Sequence, residues 1–411
     1  MVRGVGARHS GQGGPDENAT SVANAWPVLL ALGHAVDDFY PSFLAPLLPF
    51  FMEKLGLSLA LAGALATLQG FTTSLVQPLF GYFADRFQRP TLMAWGILAS
   101  AAFTSLWGLA TNGVLLTLLV ALAGLGVALF HPVAGALVGQ VTRDQKGLGM
   151  SLFVTGGTVG YGLGPLVAVA LASRWGPPAI ALAGLPGVFT AILLYHFTRR
   201  LPPYAIPAAR PSLSPLLLKQ FLPLLLLTLL VMLRAALAVT LGTFLPLYLA
   251  QRGLPLLLCG LAVSLFRVAG ALGGLVGGPL SDHIGRKQVL FLSFALAVPF
   301  LWGFFRAEGW LALGLLAVAG AIITSSTPVN ILIAQEAAPE SPSMASGLMI
   351  GFAWGLGGLA VTGVGWWGDR VGLATALSVT VMATALLASV TTLFLREGAT
   401  RPAPLSAKVE P

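Results

Sequence analysis

Apolar runs of about twenty residues, one after another and parted only by short polar knots, leave this chain few ways to fold. Charged residues make up 9% of it, against roughly 25% in a soluble chain. The solvent for most of the protein is therefore lipid. A backbone in hydrocarbon has to satisfy its own amides, which leaves helices or closed barrels. The short alternating segments of barrel strands are absent from the sequence, so an all-α integral membrane fold is expected.

We place twelve helices. In the first part of the chain they run at about Pro27 to Met52, Leu59 to Ala84, Thr91 to Ala110, Gly113 to Gln140, Gly147 to Ser173 and Pro178 to Phe197. In the second they run at about Leu216 to Ala250, Pro255 to Ser281, Gln288 to Phe305, Trp310 to Gln335, Met344 to Gly368 and Gly372 to Leu395. An even count returns both termini to one side. Arg86, Arg89, Arg143, Lys146, Arg199, Arg200, Arg210, Lys219, Arg286 and Lys287 then share a face with Arg3, Arg8, Arg396, Arg401 and Lys408, which is fifteen of the 22 Lys and Arg residues. The opposite face receives Lys54, Arg174, Arg252, Arg306 and Arg370. The positive-inside bias makes the first face cytoplasmic, with both termini, in a cell or inner membrane. The formal charge of +8 is thereby accounted for without nucleic acid.

Residues 1–25 are polar and Gly-rich without the apolar centre of a signal peptide, and read as a disordered cytoplasmic tail. Residues 397–411 form a second tail. Between them the chain divides at 26–200, a Pro-rich linker at 201–215, and 216–396. Leu48-Pro49-Phe50 through Gly56 and Gly63 realigns without a gap on Leu245-Pro246-Leu247 through Gly253 and Gly260, an offset of 197 that also carries Gly81, Asp85 and Arg89 onto Gly278, Asp282 and Arg286. Two six-helix bundles related by a pseudo-two-fold along the membrane normal follow, with a central substrate site at the axis.

The segments Gly81-Tyr-Phe-Ala-Asp85-Arg86-Phe-Gln-Arg89 and Gly278-Pro-Leu-Ser-Asp282-His-Ile-Gly-Arg286-Lys287 fall in equivalent loops at the cytoplasmic face. The glycine allows two helix ends to approach. The carboxylate suits exposed amides at a helix N-terminus, and the arginines suit acids or lipid phosphates. A latch that opens and closes is the expectation, and Gly365-Trp-Trp-Gly-Asp369-Arg370 echoes it at the far face.

This doubled pattern resembles the signature loop of the major facilitator superfamily, over essentially Ala25 to Arg396. Within that superfamily, His34-Ala-Val-Asp37-Asp38-Phe-Tyr40, Gln77-Pro-Leu-Phe-Gly81-Tyr-Phe-Ala-Asp85 and Phe130-His131-Pro132 resemble the fosmidomycin-resistance branch of drug exporters, which commonly has Asn where this chain has Asp37. The resemblance implies a twelve-helix carrier and efflux, and it selects Asp38 for proton coupling. Gly156-Gly157-Thr-Val-Gly160-Tyr-Gly162-Leu-Gly164-Pro165 in span five is similar to the Gly-rich element of proton-driven antiporters, without its usual downstream Gly pair. Gly160, Gly164 and Pro165 are expected to pack span five closely against span eleven, where Gly351, Gly355, Gly357 and Gly358 offer a matching surface.

An Asp or Arg at the bilayer centre costs roughly 2.5 to 3.5 kcal/mol on insertion scales, so each marks a candidate site. Asp37, Asp38 and His34 lie near the middle of span one. His34 and Asp38, at i and i+4, share a face, while Asp37 projects roughly 100° away from Asp38. His131, beside Pro132 in span four, offers either a proton relay or a hydrogen-bonded group at a kink, and Thr327-Pro328 occupies the corresponding point of span ten. We expect both prolines to bend their helices. The offset maps Asp37 onto Arg234, so an acid is expected to face a base across the cavity. Arg267, whose mate is Gly70, either binds an anionic substrate with Arg234 or pairs with an aspartate. Gln69, Gln77, Asn330, Trp354 and Phe352 complete the candidate lining.

The function classes divide accordingly. Proton-coupled export leads, and uptake of a small anionic metabolite is the alternative. An enzyme is not expected, because the five histidines, His9, His34, His131, His196 and His283, show no ligand spacing, the single Cys259 builds no cluster, and no phosphate loop is present. No cofactor and no metal are expected. The expected partners are a small molecule, protons and the bilayer, with the protein acting as a monomer.

Overall fold

The structure is a computed structural model that describes residues 17–57, 59–142, 145–201, 213–254 and 256–395. Among these the chain is helical and forms twelve columns. Span one runs through Glu17–Phe39, a 3₁₀ turn at Pro41–Phe43 and Leu44–Leu55; span two runs through Leu59–Gly70, a π turn at Phe71–Leu75 and Gln77–Phe87. Spans three to six are Leu92–Leu109, Gly113–Val141, Lys146–Trp175 and Pro177–Thr198. Spans seven and eight are Leu213–Gln251 and Leu256–Ile284. Spans nine to twelve are Arg286–Arg306, Gly309–Ala337, Pro342–Val371 and Leu373–Leu393. Among the described residues, ten of the twelve contain a stretch long and apolar enough to cross a bilayer.

Span one begins at Glu17, so residues 17–25, expected as tail, are helical. Residues 17–25 contain neither proline nor glycine, so nothing in the sequence breaks the helix there. Span seven begins at Leu213, inside the expected linker; Pro215 falls in its first turn, where a missing amide hydrogen is tolerated. The linker stretch 202–212 and Arg3, Arg8, Arg143, Arg210, Arg396, Arg401 and Lys408 lie outside the described residues.

The two halves are repeats in backbone detail. Gly56 and Gly253, 197 apart, both take positive φ (64° and 82°) where span one and span seven end. The apolar packing shows how the halves meet. One buried cluster joins both, from Leu30, Phe130 and Phe153 of the first to Val329, Ile333 and Met349 of the second. Two others are private: Phe43, Phe51 and Trp107 in the first half, and Leu241, Phe266 and Phe304 in the second. Span eight packs on span five, and span eleven on spans two and four. The halves are therefore joined at the face of the two Gly-Asp-Arg loops and cored separately toward the other.

Two expectations about helix packing are corrected. Span five pairs chiefly with span one, not span eleven. A methyl group at Gly156, Gly160 or Gly164 would strike the carbonyls of Ala31, Ala35 or Phe39, so the i, i+4 stripe of glycines is a seat for the span-one backbone. Pro165 is half-buried in the same helix. Span eleven instead sets Gly347 and Gly351 against Gln77 of span two, and Gly355 against Ser74 and Leu75. The prolines also differ. Span four runs unbroken through Pro132, whereas span ten is interrupted at Ser325, next to Thr327-Pro328. Proline at 328 removes the amide that would bond the carbonyl of Thr324, which ends the first segment there.

Candidate functional site

The middle of the first bundle brings together four polar side chains from spans one and four. His34 Nδ1 donates to the Phe153 carbonyl at 2.7 Å. His131 Nδ1 donates to the Val127 carbonyl, one turn back on its own helix, at 2.9 Å. Since a carbonyl only accepts, both rings carry a hydrogen on Nδ1, and whenever a ring is neutral its Nε2 presents a lone pair outward. Those two Nε2 atoms lie 3.2 Å apart. Asp38 closes the triangle, with Oδ2 3.3 Å from His34 Nε2 and Oδ1 3.1 Å from His131 Nε2. The histidine side chains are 6% and 5% exposed and that of Asp38 is 22% exposed, so the carboxylate is the open corner. Phe153 stacks on the His34 ring with centroids 4.0 Å apart, holding it in place.

With neutral rings, only acceptors converge here. One proton on either Nε2, or on the carboxyl, supplies the missing donor. A second on the other ring would set two charged imidazoles 3.2 Å apart, each N–H still facing its own oxygen of Asp38 at 3.3 and 3.1 Å. Repulsion between two adjacent imidazolium rings favours one added proton over two.

Asp37 does not face Arg234. It is fully buried, takes a hydrogen bond from Ser100 Oγ at 3.2 Å on span three, and has Oδ2 3.3 Å from His131 Nδ1. The physical reason is the 100° between successive helix positions: with Asp38 on the His34 face, Asp37 turns into the contact with spans three and four. Arg234 is buried at 7% exposure and lies over the Trp354 ring of span eleven, 5.1 Å from its centroid. Its Nε has no hydrogen-bond partner, and it has no acidic partner among the described residues. Asn330 is wholly buried with neither amide atom bonded, and Gln77 Oε1 is likewise unpaired. Arg267 is exposed and reaches toward Gly242 of span seven, so the expected pairing with an aspartate is absent among the described residues. Gln69 is half-buried just before the π turn of span two.

The two loop motifs form reciprocal contacts between the halves. Asp85 accepts the amides of Ser343 and Met344 at 3.1 and 3.0 Å, at the start of span eleven. Asp282 accepts the amide of Gly147 at 3.0 Å, at the start of span five. Gly147 and Met344 are 197 apart, as are the two acids, so one bond is the image of the other. Gly81 lies against the backbone of Ser343 and Met344, and Gly278 against that of Gly147; a Cβ at either would collide. The basic residues are not alike. Arg286 is 1% exposed, binds Glu336 through Nε and Nη2 (2.8 to 3.0 Å), and reaches Asp282 at 3.2 Å. Lys287 donates to the Leu393 carbonyl, whereas Arg86 and Arg89 are exposed.

Ser100, the Phe153 carbonyl, Glu336 and the amides of Ser343 and Met344 were not legible as site groups in the sequence. For Glu336 a signal exists: it is an acid at the end of an apolar span, on the face of a basic motif. Two of the histidines scattered in the sequence, His34 and His131, are brought to 3.2 Å by the fold.

Comparison with known proteins follows the same lines. The family model described as Major Facilitator Superfamily matches residues 30–362. The chain is 27% identical over 351 residues to the fosmidomycin resistance protein of Escherichia coli (strain K12), covering 84% of this chain and 86% of that one. It is 26% identical over 366 residues to the MFS-type transporter YfnC of Bacillus subtilis (strain 168), covering 85% and 88%. Among solved structures, the fucose:proton symporter FucP of E. coli superposes with a TM-score of 0.73 at 14% identity, covering 90% of this chain and 98% of that one. The proton:xylose symporter XylE gives 0.70 at 14%, covering 92% and 97%.

Proposed function

Because the chain belongs to the major facilitator superfamily, we propose that it is a proton-coupled secondary transporter, an antiporter that exports small molecules by alternating access from a cell membrane with both termini cytoplasmic. One observation carries the coupling: His34, His131 and Asp38 set four acceptor atoms around a point that accommodates one proton. Asp38, the open corner, is the group through which that proton exchanges with the substrate path. His131, held by Val127 and beside Asp37, is the second seat. Asp37 and Ser100 position His131 from behind.

Alternating access supplies the reason for the latch. In the state described here the loop face is closed by Asp85 on span eleven and Asp282 on span five. Breaking those contacts lets the two halves rock and turns the central site to the cytoplasm. Export is favoured over uptake by the likeness of span five to the Gly-rich element of antiporters and by the name of the E. coli relative, a resistance protein. The uptake reading keeps one specific observation, the buried Arg234 over Trp354, without an acidic partner among the described residues; these two, with the unpaired buried amides of Asn330 and Gln77 and with Arg267 and Gln69, form the proposed substrate lining.

The test is transport in sealed proteoliposomes of known orientation, with fosmidomycin as first probe and a pH step as driving force. Wild-type flux is expected to follow the pH gradient, and Asp38→Asn to lose the gradient-driven flux while remaining folded. Flux in Asp38→Asn that still follows the gradient removes Asp38 from coupling, and flux that runs only inward in the wild type replaces export with uptake.

A further inference from the structure

We propose that His34, His131 and Asp38 also form a specific binding site for a divalent transition-metal ion, with Zn²⁺ as the reference ion, that competes with the proton for the same point. The argument is geometric. A four-coordinate ion held at about 2.0 to 2.1 Å by imidazole nitrogen and carboxylate oxygen has its ligand atoms roughly 3.3 Å apart. The two Nε2 atoms are 3.2 Å apart and each faces its own oxygen of Asp38, His34 Nε2 at 3.3 Å from Oδ2 and His131 Nε2 at 3.1 Å from Oδ1, so both nitrogens and the carboxylate are at ligand spacing. All the ligand atoms lie within 4.8 Å of one another. The donor set, two imidazoles and one carboxylate, is that of many zinc sites with an open fourth position.

The surroundings agree with a metal site at a second level. Imidazoles that bind metals generally donate their other ring hydrogen to a carbonyl or carboxylate, which fixes the tautomer and aims the lone pair. Both rings do so here, His34 to Phe153 O and His131 to Val127 O, so both Nε2 lone pairs are already presented. The open corner at Asp38 leaves the fourth ligand position to water. Binding is an exchange: Zn²⁺ enters, and the one proton held among the three side chains leaves to solvent. An ion bridging spans one and four blocks proton exchange, so transition metals inhibit pH-driven transport. The inference rests on cluster geometry and not on coupling, so either can fail alone.

The experiment is calorimetric titration of the purified, tag-free full chain with ZnCl₂, in two buffers of different ionisation enthalpy. Expected are one saturable site per chain and release of about one proton per ion. His131→Gln is expected to weaken it by more than the roughly 100-fold seen when only an outer partner is removed. His196→Gln and His283→Gln, distant from the cluster, are expected to leave it unchanged. Should His131→Gln not fold, Co²⁺ added to the wild type decides, since a four-coordinate His₂Asp site gives strong visible absorption that Zn²⁺ then displaces. Absence of saturable Zn²⁺ binding, binding undiminished in a folded His131→Gln, binding lost in His196→Gln or His283→Gln, or a weak six-coordinate Co²⁺ spectrum overturns the proposal.

Discussion

Replacing Arg286 by Met tests how the loop face is held shut. The guanidinium is almost fully buried and makes a two-pronged pair with Glu336, a bond to Ser281 Oγ at 3.0 Å and one to Asp282 at 3.2 Å. Removing one member of a buried ion pair costs about 3 to 5 kcal/mol. Glu336 and Asp282 are 17% and 28% exposed, so water rehydrates them in part and the lower figure applies, about 3 kcal/mol. These groups all belong to the second half, so most of that cost falls on folding; what reaches the closed state passes through Asp282, whose bond to the Gly147 amide of the first half contributes about 1.5 kcal/mol. At 1.4 kcal/mol per tenfold, loss of that bond lowers the ratio of closed to open states by about tenfold. Spin labels on cysteines at Gln145→Cys and His283→Cys, both exposed and flanking that bond, report the distance across the face, with Cys259→Ala as background. A longer-distance population is expected in Arg286→Met, and an intermediate one in Arg286→Lys, which keeps the charge without the fork. Distances in Arg286→Met that match the parent refute the latch as drawn.

Arg234→Met is expected to raise thermal stability by at least about 1 kcal/mol, because it removes a buried cation that has no acidic partner among the described residues. The same change weakens anionic substrates by roughly tenfold or more. Thermal unfolding with and without an anionic probe reads both, and lowered stability shows that Arg234 is satisfied in some other way. Gly160→Ala is expected to destabilise by about 1 to 3 kcal/mol, since its methyl meets the Ala35 carbonyl. Gly162→Ala, with open space around the added atom, serves as the neutral control in the same unfolding assay. Equal effects at the two positions contradict span one as the partner of the glycine stripe.

What the sequence revealed and what it hid divide along a physical line. Relations carried by chain distance were legible: His34 and Asp38 share a face because they are four apart, and the acids of the two loops are equivalent because the repeat is gapless. Asp85 and Asp282 meet helix starts that are themselves 197 apart. Relations carried by helix rotation were not. Whether span five shows its glycines to span one or span eleven depends on how the bundle is wound, and small residues suit either neighbour. Asp37 illustrates the same limit, since its symmetry mate Arg234 was known but not the direction in which each turns. His131 and His34 are 97 residues apart, and no spacing rule reaches that far. The π turns at Phe71–Leu75 and Leu348–Phe352 carried no sequence mark, although they pack on one another beside Gln77 and Gly351.

The most direct test of coupling is ¹⁵N solid-state magnetic resonance of histidine-labelled protein in lipid, with His34→Gln and His131→Gln for assignment. Expected are Nδ1–H forms for both rings at every pH, with a single additional proton titrating onto the pair of Nε2 atoms. A neutral ring carrying its hydrogen on Nε2, or two protons taken up together, contradicts the one-proton seat and with it the proposed route of coupling.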